Sequence, residues 1–299
     1  LIKMIQDDLM AHGINTNQLR VLTDGSLLVH FPGTKKGKIV CYAAHVDTSP
    51  EARGGGKCII HNYKGGKIVL PKGGVVIPSK DLAGKKGKTI VTGDGKFIPG
   101  ADDKAGVAIL VRIARDLAVG VIADHPPVYM WFCVDEEVGQ LNIDVVPPKI
   151  VRSWDAFITL DGGHPLGVDT DCFCGWETIV EFFGQSAHPG EGGKKLKPAH
   201  YAMACLIINL EDHFETPWET DRLLPFVYVA DVTEMSAIHA RAEIIPRSFE
   251  ASQLPLFHKK IVQKAKEVAK MYGVRCQISG RGLMYVGTGT AIKKRHEVL

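Results

Sequence analysis

Apolar residues along this chain recur with two periods. The run Lys38-Ile39-Val40-Cys41-Tyr42-Ala43-Ala44 empties into His45-Val46-Asp47. Val128-Tyr129-Met130-Trp131-Phe132-Cys133-Val134 runs into Asp135-Glu136-Glu137, and Ala156-Phe157-Ile158-Thr159-Leu160 into Asp161-Gly162-Gly163. Short apolar runs bounded by polar residues read as buried strands. Helical spacing appears at the start, with Ile2, Met4, Ile5, Leu9 and Met10. It returns over Val107–Ala118, opened by Gly100-Ala101-Asp102-Asp103-Lys104-Ala105-Gly106. Alternating helix and strand patterns over residues 1–165 predict an α/β unit, a mostly parallel sheet with helices on its faces.

Between Pro50 and Pro99 lies a Gly- and Lys-rich insertion with short strand-like pieces such as Lys67-Ile68-Val69-Leu70. It is too long for a plain loop and predicts a hairpin-rich flap. Near Val168 the pattern changes. Glu177–Phe183, Phe226–Val232, Ala237–Ile245 and Val274–Ser279 read as strands. His200–Phe214 reads as a helix with Met203, Leu206, Ile207 and Leu210 on one stripe, and Leu256–Tyr272 as another with Ile261, Ala265, Val268 and Met271. That β-α-β-β-α-β order predicts a ferredoxin-like α+β unit. It reads as inserted, because the Gly-rich style returns after Gly280. The domains expected are therefore 1–167, 168–280 and 281–299.

The 299 residues suffice for one large or two ordinary domains, and 45% hydrophobic content suits a globular core. No apolar run approaches the roughly 18 residues of a membrane span, so no membrane partner is expected. A net charge of +3 argues against nucleic acid. The clusters Lys35–Lys38, Lys85–Lys88 and Lys194–Lys197 read as solvated loops. Seven scattered cysteines favour a reducing, cytoplasmic setting over a disulfide framework. Cys172-Phe173-Cys174 lacks the second Cys pair that a soft-metal site needs.

The candidate chemistry sits at the run ends. In open α/β sheets, sites lie outside the carboxyl ends of the strands. Three runs ending in His45, Glu136-Glu137 and Asp161, with Asp102 at a helix start, therefore point at one pocket. Each feature has an ordinary explanation: exposed carboxylates, a turn, or Asp102-Asp103 as helix cap and first-turn charge. All four together argue for a cation, because adjacent carboxylates repel unless a cation or proton intervenes. Imidazole with carboxylates suits Zn²⁺ or a similar divalent ion.

His-Val-Asp-Thr-Ser-Pro (45–50), His-Asn-Tyr-Lys-Gly-Gly (61–66), Gly-Ala-Asp-Asp-Lys-Ala-Gly (100–106), Asp-Glu-Glu-Val-Gly (135–139), Leu-Asp-Gly-Gly (160–163) and His-Pro-Gly (188–190) occur in that order. The set resembles the peptidase T (tripeptide aminopeptidase) family, within the dizinc exopeptidases that include aminoacylases. The resemblance implies a zinc-exopeptidase-like catalytic domain with the α+β unit inserted as a lid. It implies two zinc ions, with His45 and Asp161 on one, Glu137 on the other and Asp102 bridging. Asp47 would orient His45, and Glu136 would be the general base. His188 would help hold the substrate carbonyl, and Arg247 the substrate carboxylate. A short peptide is the implied substrate, and a homodimer through the lid the implied assembly.

The chain departs from that pattern at its end. The family carries further residues before the position of Leu1 and between the lid and the last ligand loop, so the resemblance is to a shortened or incomplete copy. Strict alignment puts Lys293 at a zinc-binding histidine position, and His296 is the nearby imidazole. A protonated lysine has no lone pair to give, so His296 is the expected last ligand. The alternatives are another amidohydrolase of the family, a dipeptidase or aminoacylase, or a non-catalytic peptide-binding homologue lacking the second metal site.

Overall fold

A computed structural model describes residues 1–50, 54–138, 143–163, 167–188, 190, 193–220 and 224–287. Leu1–Gly167 forms one unit, and a second begins at Val168. The first contains, in chain order, α1 (Ile2–Ala11), β1 (Leu19–Val21), β2 (Leu27–Phe31), β3 (Val40–His45), β4 (Ile59–Asn62), β5 (Ile68–Val69), β6 (Val76–Ile77), β7 (Thr89–Thr92), α2 (Ala101–Ala118), β8 (Val128–Cys133), α3 (Pro148–Val151) and β9 (Ala156–Thr159).

Five of these strands form one sheet in the order β1-β2-β8-β3-β9. Alternation splits its side chains between two cores. Leu27, Val29, Phe31, Ala44, Met130 and Phe132 pack with α1 and α2 through Ile5, Leu9, Val107, Leu110 and Ala114. Leu28, Cys41, Ala43, Trp131 and Cys133 face the other way, onto Val146 and Trp154. Met4 and Met10, counted on the sequence stripe of α1, are exposed. The sheet is mixed rather than mostly parallel: β3 runs parallel to β8 and β9, while β2 is antiparallel to both β1 and β8. The turn between β1 and β2 is too short for the crossover a parallel pair requires.

Register matters most at one edge. His45 pairs with Cys133 and Ala43 with Thr159. Three parallel strands therefore release their chains side by side. The insertion forms two antiparallel pairs, β4 with β7 and β5 with β6. It has a small core of its own from Tyr63, Ile68, Leu70 and Leu82.

The second unit contains β10 (Cys174–Phe183), α4 (Ala199–Glu211), β11 (Phe226–Met235), β12 (His239–Ser248), α5 (Leu254–Tyr272) and β13 (Arg275–Tyr285). Its four strands form an antiparallel sheet, β11-β12-β10-β13. Val180, Phe182, Ala240, Ala242 and Ile244 pack against Met203, Leu206, Ile261, Ala265 and Val268 of the two helices. Met271 is exposed, and Ala269 joins the core in its place. The strand read over Val274–Ser279 runs on to Tyr285, so residues 281–285 lie in this sheet. Among the described residues, no helix is long and apolar enough to cross a membrane.

Candidate metal centre

The exit of β8 turns at Asp135, whose φ of 61° is in the left-handed region that aspartate tolerates better than most residues. Glu136 and Glu137 follow that turn. Val46 N–H bonds Cys133 C=O at 2.8 Å, and Leu160 N–H bonds Ala43 C=O at 2.8 Å, so the three strand exits are tied together. At this edge His45 is buried, and its two ring nitrogens face opposite carboxylates. Nδ1 donates to Asp47 Oδ1 at 3.1 Å. Nε2 lies 2.8 Å from Asp102 Oδ1, 3.8 Å from Asp161 Oδ2 and 4.0 Å from Glu136 Oε2.

Two trios of potential ligand atoms result, each with its members within 4.8 Å of one another: His45, Glu136 and Asp161, and His45, Asp102 and Glu137. Glu136 rather than Asp102 completes the trio with Asp161. Asp102 lies closest to His45 Nε2. Among the described residues, Cys172 and Cys174 join no such group.

The electrostatics are those of crowded negative charge. Burial works against a charged His45, but the Asp102 hydrogen bond and the charges of Asp161, Asp47 and Glu136 outweigh it and raise its pKa. Burial raises the Glu136 pKa, and Asp161, Glu137 and Asp47 add to this against the pull of His45. Asp161 is raised by burial and by Asp102. A proton on His45 Nε2 and a divalent cation are alternative ways to offset the same carboxylates. One neutral imidazole with several carboxylates is a donor set that fits Zn²⁺ and similar divalent ions.

Three further groups hold this arrangement. Asp47 lies just beyond the end of β3, and its second oxygen accepts the Glu137 N–H at 3.0 Å. Its backbone carbonyl accepts from Lys104 Nζ at 3.2 Å. Asp103, nearly fully buried, accepts the His45 N–H at 3.2 Å and the Gly106 N–H at 3.1 Å. Asp102 and Asp103 have non-helical backbone angles, so Asp103 is the effective N-cap of α2. Its hold on the His45 backbone escaped the sequence reading. The Asp-x-x-Gly spacing was the available signal, since a capping side chain reaches the third N–H of its helix.

The remaining sequence candidates lie in the second unit or beyond the described residues. His188 is exposed, and its Nδ1 accepts the Gly190 N–H at 3.2 Å, which leaves the proton on Nε2 as an outward donor. Arg247 is exposed near the end of β12, opposite Phe226 of β11. His296 and Lys293 lie outside the described residues.

A curated peptidase T from Salmonella enteritidis is 30% identical over 289 residues, which cover 93% of this chain and 68% of that protein. The chain belongs to the peptidase T family. Peptidase T from Vibrio cholerae is 31% identical over 239 residues, 77% of this chain, and the matched region spans 57% of that relative's length. No family model matches the chain. Among solved structures, a Staphylococcus aureus tripeptidase aligns with a TM-score of 0.66 at 16% identity, covering 95% of this chain and 70% of that one. The aminopeptidase PepT of Bacillus cereus aligns at 0.61 and 18%, covering 96% and 70%. A Bacillus subtilis protein described as a dinuclear metal-binding peptidase of the M20 family aligns at 0.54 and 14%, covering 95% and 67%. These likenesses show the mixed α/β fold of the chain.

Proposed function

We propose that this member of the peptidase T family is a zinc-dependent exopeptidase that removes the N-terminal residue from short peptides, tripeptides above all. The observation that carries the reading is the pair of ligand trios that share the His45 imidazole, one with Glu136 and Asp161 and the other with Asp102 and Glu137. The family's curated members and the dinuclear peptidase neighbour support it.

In this reading His45 and Asp161 would hold one ion and Glu137 the other, with Asp102 as the ligand they would share. Zinc held there would supply a water of lowered pKa and a Lewis acid for the scissile carbonyl. The chain's own groups do the rest. Asp47 keeps the His45 proton on Nδ1, so that Nε2 is free to ligate. Glu136 takes the proton of the attacking water and returns it to the leaving amine. His188 Nε2–H has the chemistry to hold the carbonyl oxygen, and Arg247 the chemistry to hold the peptide carboxylate. His296 is the proposed remaining ligand of the second ion.

We further read the unit from Val168 onward as a ferredoxin-like lid inserted into the catalytic domain. Its strand order and two-layer packing support this. The exposed Tyr201 and Ile208 of α4 support homodimerisation through the lid.

The test is metal content together with hydrolysis of a tripeptide such as Leu-Gly-Gly. Release of free leucine, abolished by a chelator and restored by Zn²⁺, is expected. Neither bound metal nor turnover would overturn the reading.

A further inference from the structure

The sheet of the second unit packs α4 and α5 on one face only. Along β12, Ala240, Ala242, Ile244, Pro246 and Ser248 are buried, while Ile245 and Arg247 alternate with them on the other face. In β11, Phe226 lies opposite Arg247 and Tyr228 opposite Ile245. A loop closes this corner. Val227 N–H bonds Glu215 C=O at 3.0 Å, and buried Thr216 donates to Glu219 at 2.6 Å and accepts two backbone N–H groups through its carbonyl. That anchored turn presents Pro217 and Trp218. Pro217, Trp218, Phe226, Tyr228, Ile245 and Arg247 line a pocket of about 510 Å³.

Two features of the pocket point to a ligand. Trp218 is 67% exposed and Tyr228 42% exposed. These are large amphipathic rings left uncovered in one place, an arrangement typical of recognition sites. Arg247 supplies the charge. Among the described residues its guanidinium has neither a hydrogen bond nor an ion pair, unlike Arg281, which is paired with Glu177 in the same sheet. A planar fork of free donors beside apolar walls matches a small molecule with one carboxylate and one apolar side chain. The pocket has no second cation, which disfavours phosphate.

The carboxylate role of Arg247 is the one proposed above; we infer that Trp218 and Tyr228, which line the same pocket, select for an apolar or aromatic side chain on the residue that carries that carboxylate. Arg247 holds the carboxylate, and Trp218 and Tyr228 cover the side chain. The inference rests on the exopeptidase reading for why such a peptide reaches the pocket. It adds a preference, set by Trp218 and Tyr228, which that reading does not contain.

The test has a binding arm and a turnover arm. The binding arm titrates the full chain with N-acetyl-leucine, N-acetyl-leucinamide and N-acetylglycine by calorimetry. Burial of a leucine side chain predicts that N-acetyl-leucine binds about 10-fold or more tighter than N-acetylglycine, and a charge-assisted fork predicts a similar margin over the amide. Trp218→Ala brings the leucine-to-glycine ratio close to one while keeping the acid-over-amide margin. Trp218 is exposed, so its removal takes no side chain out of the core, and circular dichroism checks that Trp218→Ala is folded. Equal binding of all three probes, no measurable binding, or an unchanged ratio in Trp218→Ala overturns the inference.

The turnover arm compares Gly-Gly-Leu with Gly-Gly-Gly. The leucine peptide should have the higher kcat/KM by a similar factor, and Trp218→Ala should narrow the gap. Hydrolysis of both peptides at equal kcat/KM overturns the pocket and leaves the exopeptidase reading standing. Selective binding without hydrolysis supports the pocket and removes the exopeptidase reading.

Discussion

Asp47 and Glu137, 90 residues apart, are joined by a hydrogen bond from the Glu137 N–H to Asp47 Oδ2 at 3.0 Å. The same carboxylate holds His45 Nδ1 at 3.1 Å. One side chain thus sets both the orientation of the imidazole and the backbone position of an acidic residue on another strand exit.

Asp47→Asn should therefore weaken metal binding by about 10- to 100-fold, the usual effect of removing a carboxylate behind a histidine ligand. The asparagine can still accept the Glu137 N–H through its amide oxygen, so folding should survive. Competition with a chromophoric chelator measures the affinity. An unchanged value would remove the orienting role.

Glu136→Gln should retain bound metal and thermal stability while kcat for a tripeptide falls by roughly 10²–10⁴. Turnover close to wild type would exclude Glu136 as the base. Loss of metal would instead assign Glu136 as a ligand, as its grouping with His45 and Asp161 also allows.

Gly106 sits where a Cβ would lie 2.5 Å from Asp103 Oδ1 and 2.8 Å from the Leu160 carbonyl. Gly106→Ala must push the Asp103 carboxylate off the helix cap and off the His45 N–H. A loss of about 1–3 kcal/mol is expected, in the range for overpacking a tight site. Metal affinity should fall as well, because the His45 backbone loses its partner. Urea denaturation and metal titration report the two effects separately, and a variant matching wild type in both would contradict the account.

Glu177 in β10 accepts the Arg281 side chain at 2.9 Å and the Arg281 N–H at 2.8 Å. Burial pushes its pKa up, but the hydrogen bonds and charge of Arg281 pull it below the ordinary glutamate value of 4.5. A depressed folded-state pKa stabilises the protein above the unfolded value, and that contribution is lost as pH falls through the folded one. Stability of the second unit should drop with acidification below about pH 4.5, and Glu177→Gln should flatten that drop while lowering stability at neutral pH. Denaturant midpoints measured across this range give the slope. Identical slopes for the two proteins would show that the pair contributes nothing to acid sensitivity.

Much of this was legible in the sequence. The apolar runs before His45, Asp135 and Asp161 marked β3, β8 and β9; β3 and β8 are largely buried, as an uninterrupted apolar run predicts, whereas β9 at the sheet edge is only half-buried and leaves Phe157 exposed. Their abrupt ends marked the site edge, and the helically spaced stripes that include Met203 and Ile261 marked α4 and α5. These are local signals, and local signals survive in one dimension.

What only the tertiary structure decided was long-range partnership. The sheet order β1-β2-β8-β3-β9, with its antiparallel half, depends on which strands can share a core rather than on any one strand's pattern. The register that pairs His45 with Cys133 brings Glu136 and Glu137 to the imidazole. The double duty of Asp103, capping α2 and holding the His45 N–H, required the helix start and the strand end to meet. The corner where Trp218, Tyr228 and Arg247 converge combines a turn with two strands in register. Hydrophobic periodicity encodes which face of an element is buried. It does not encode which other element buries it, because that choice is made by packing among all of them at once.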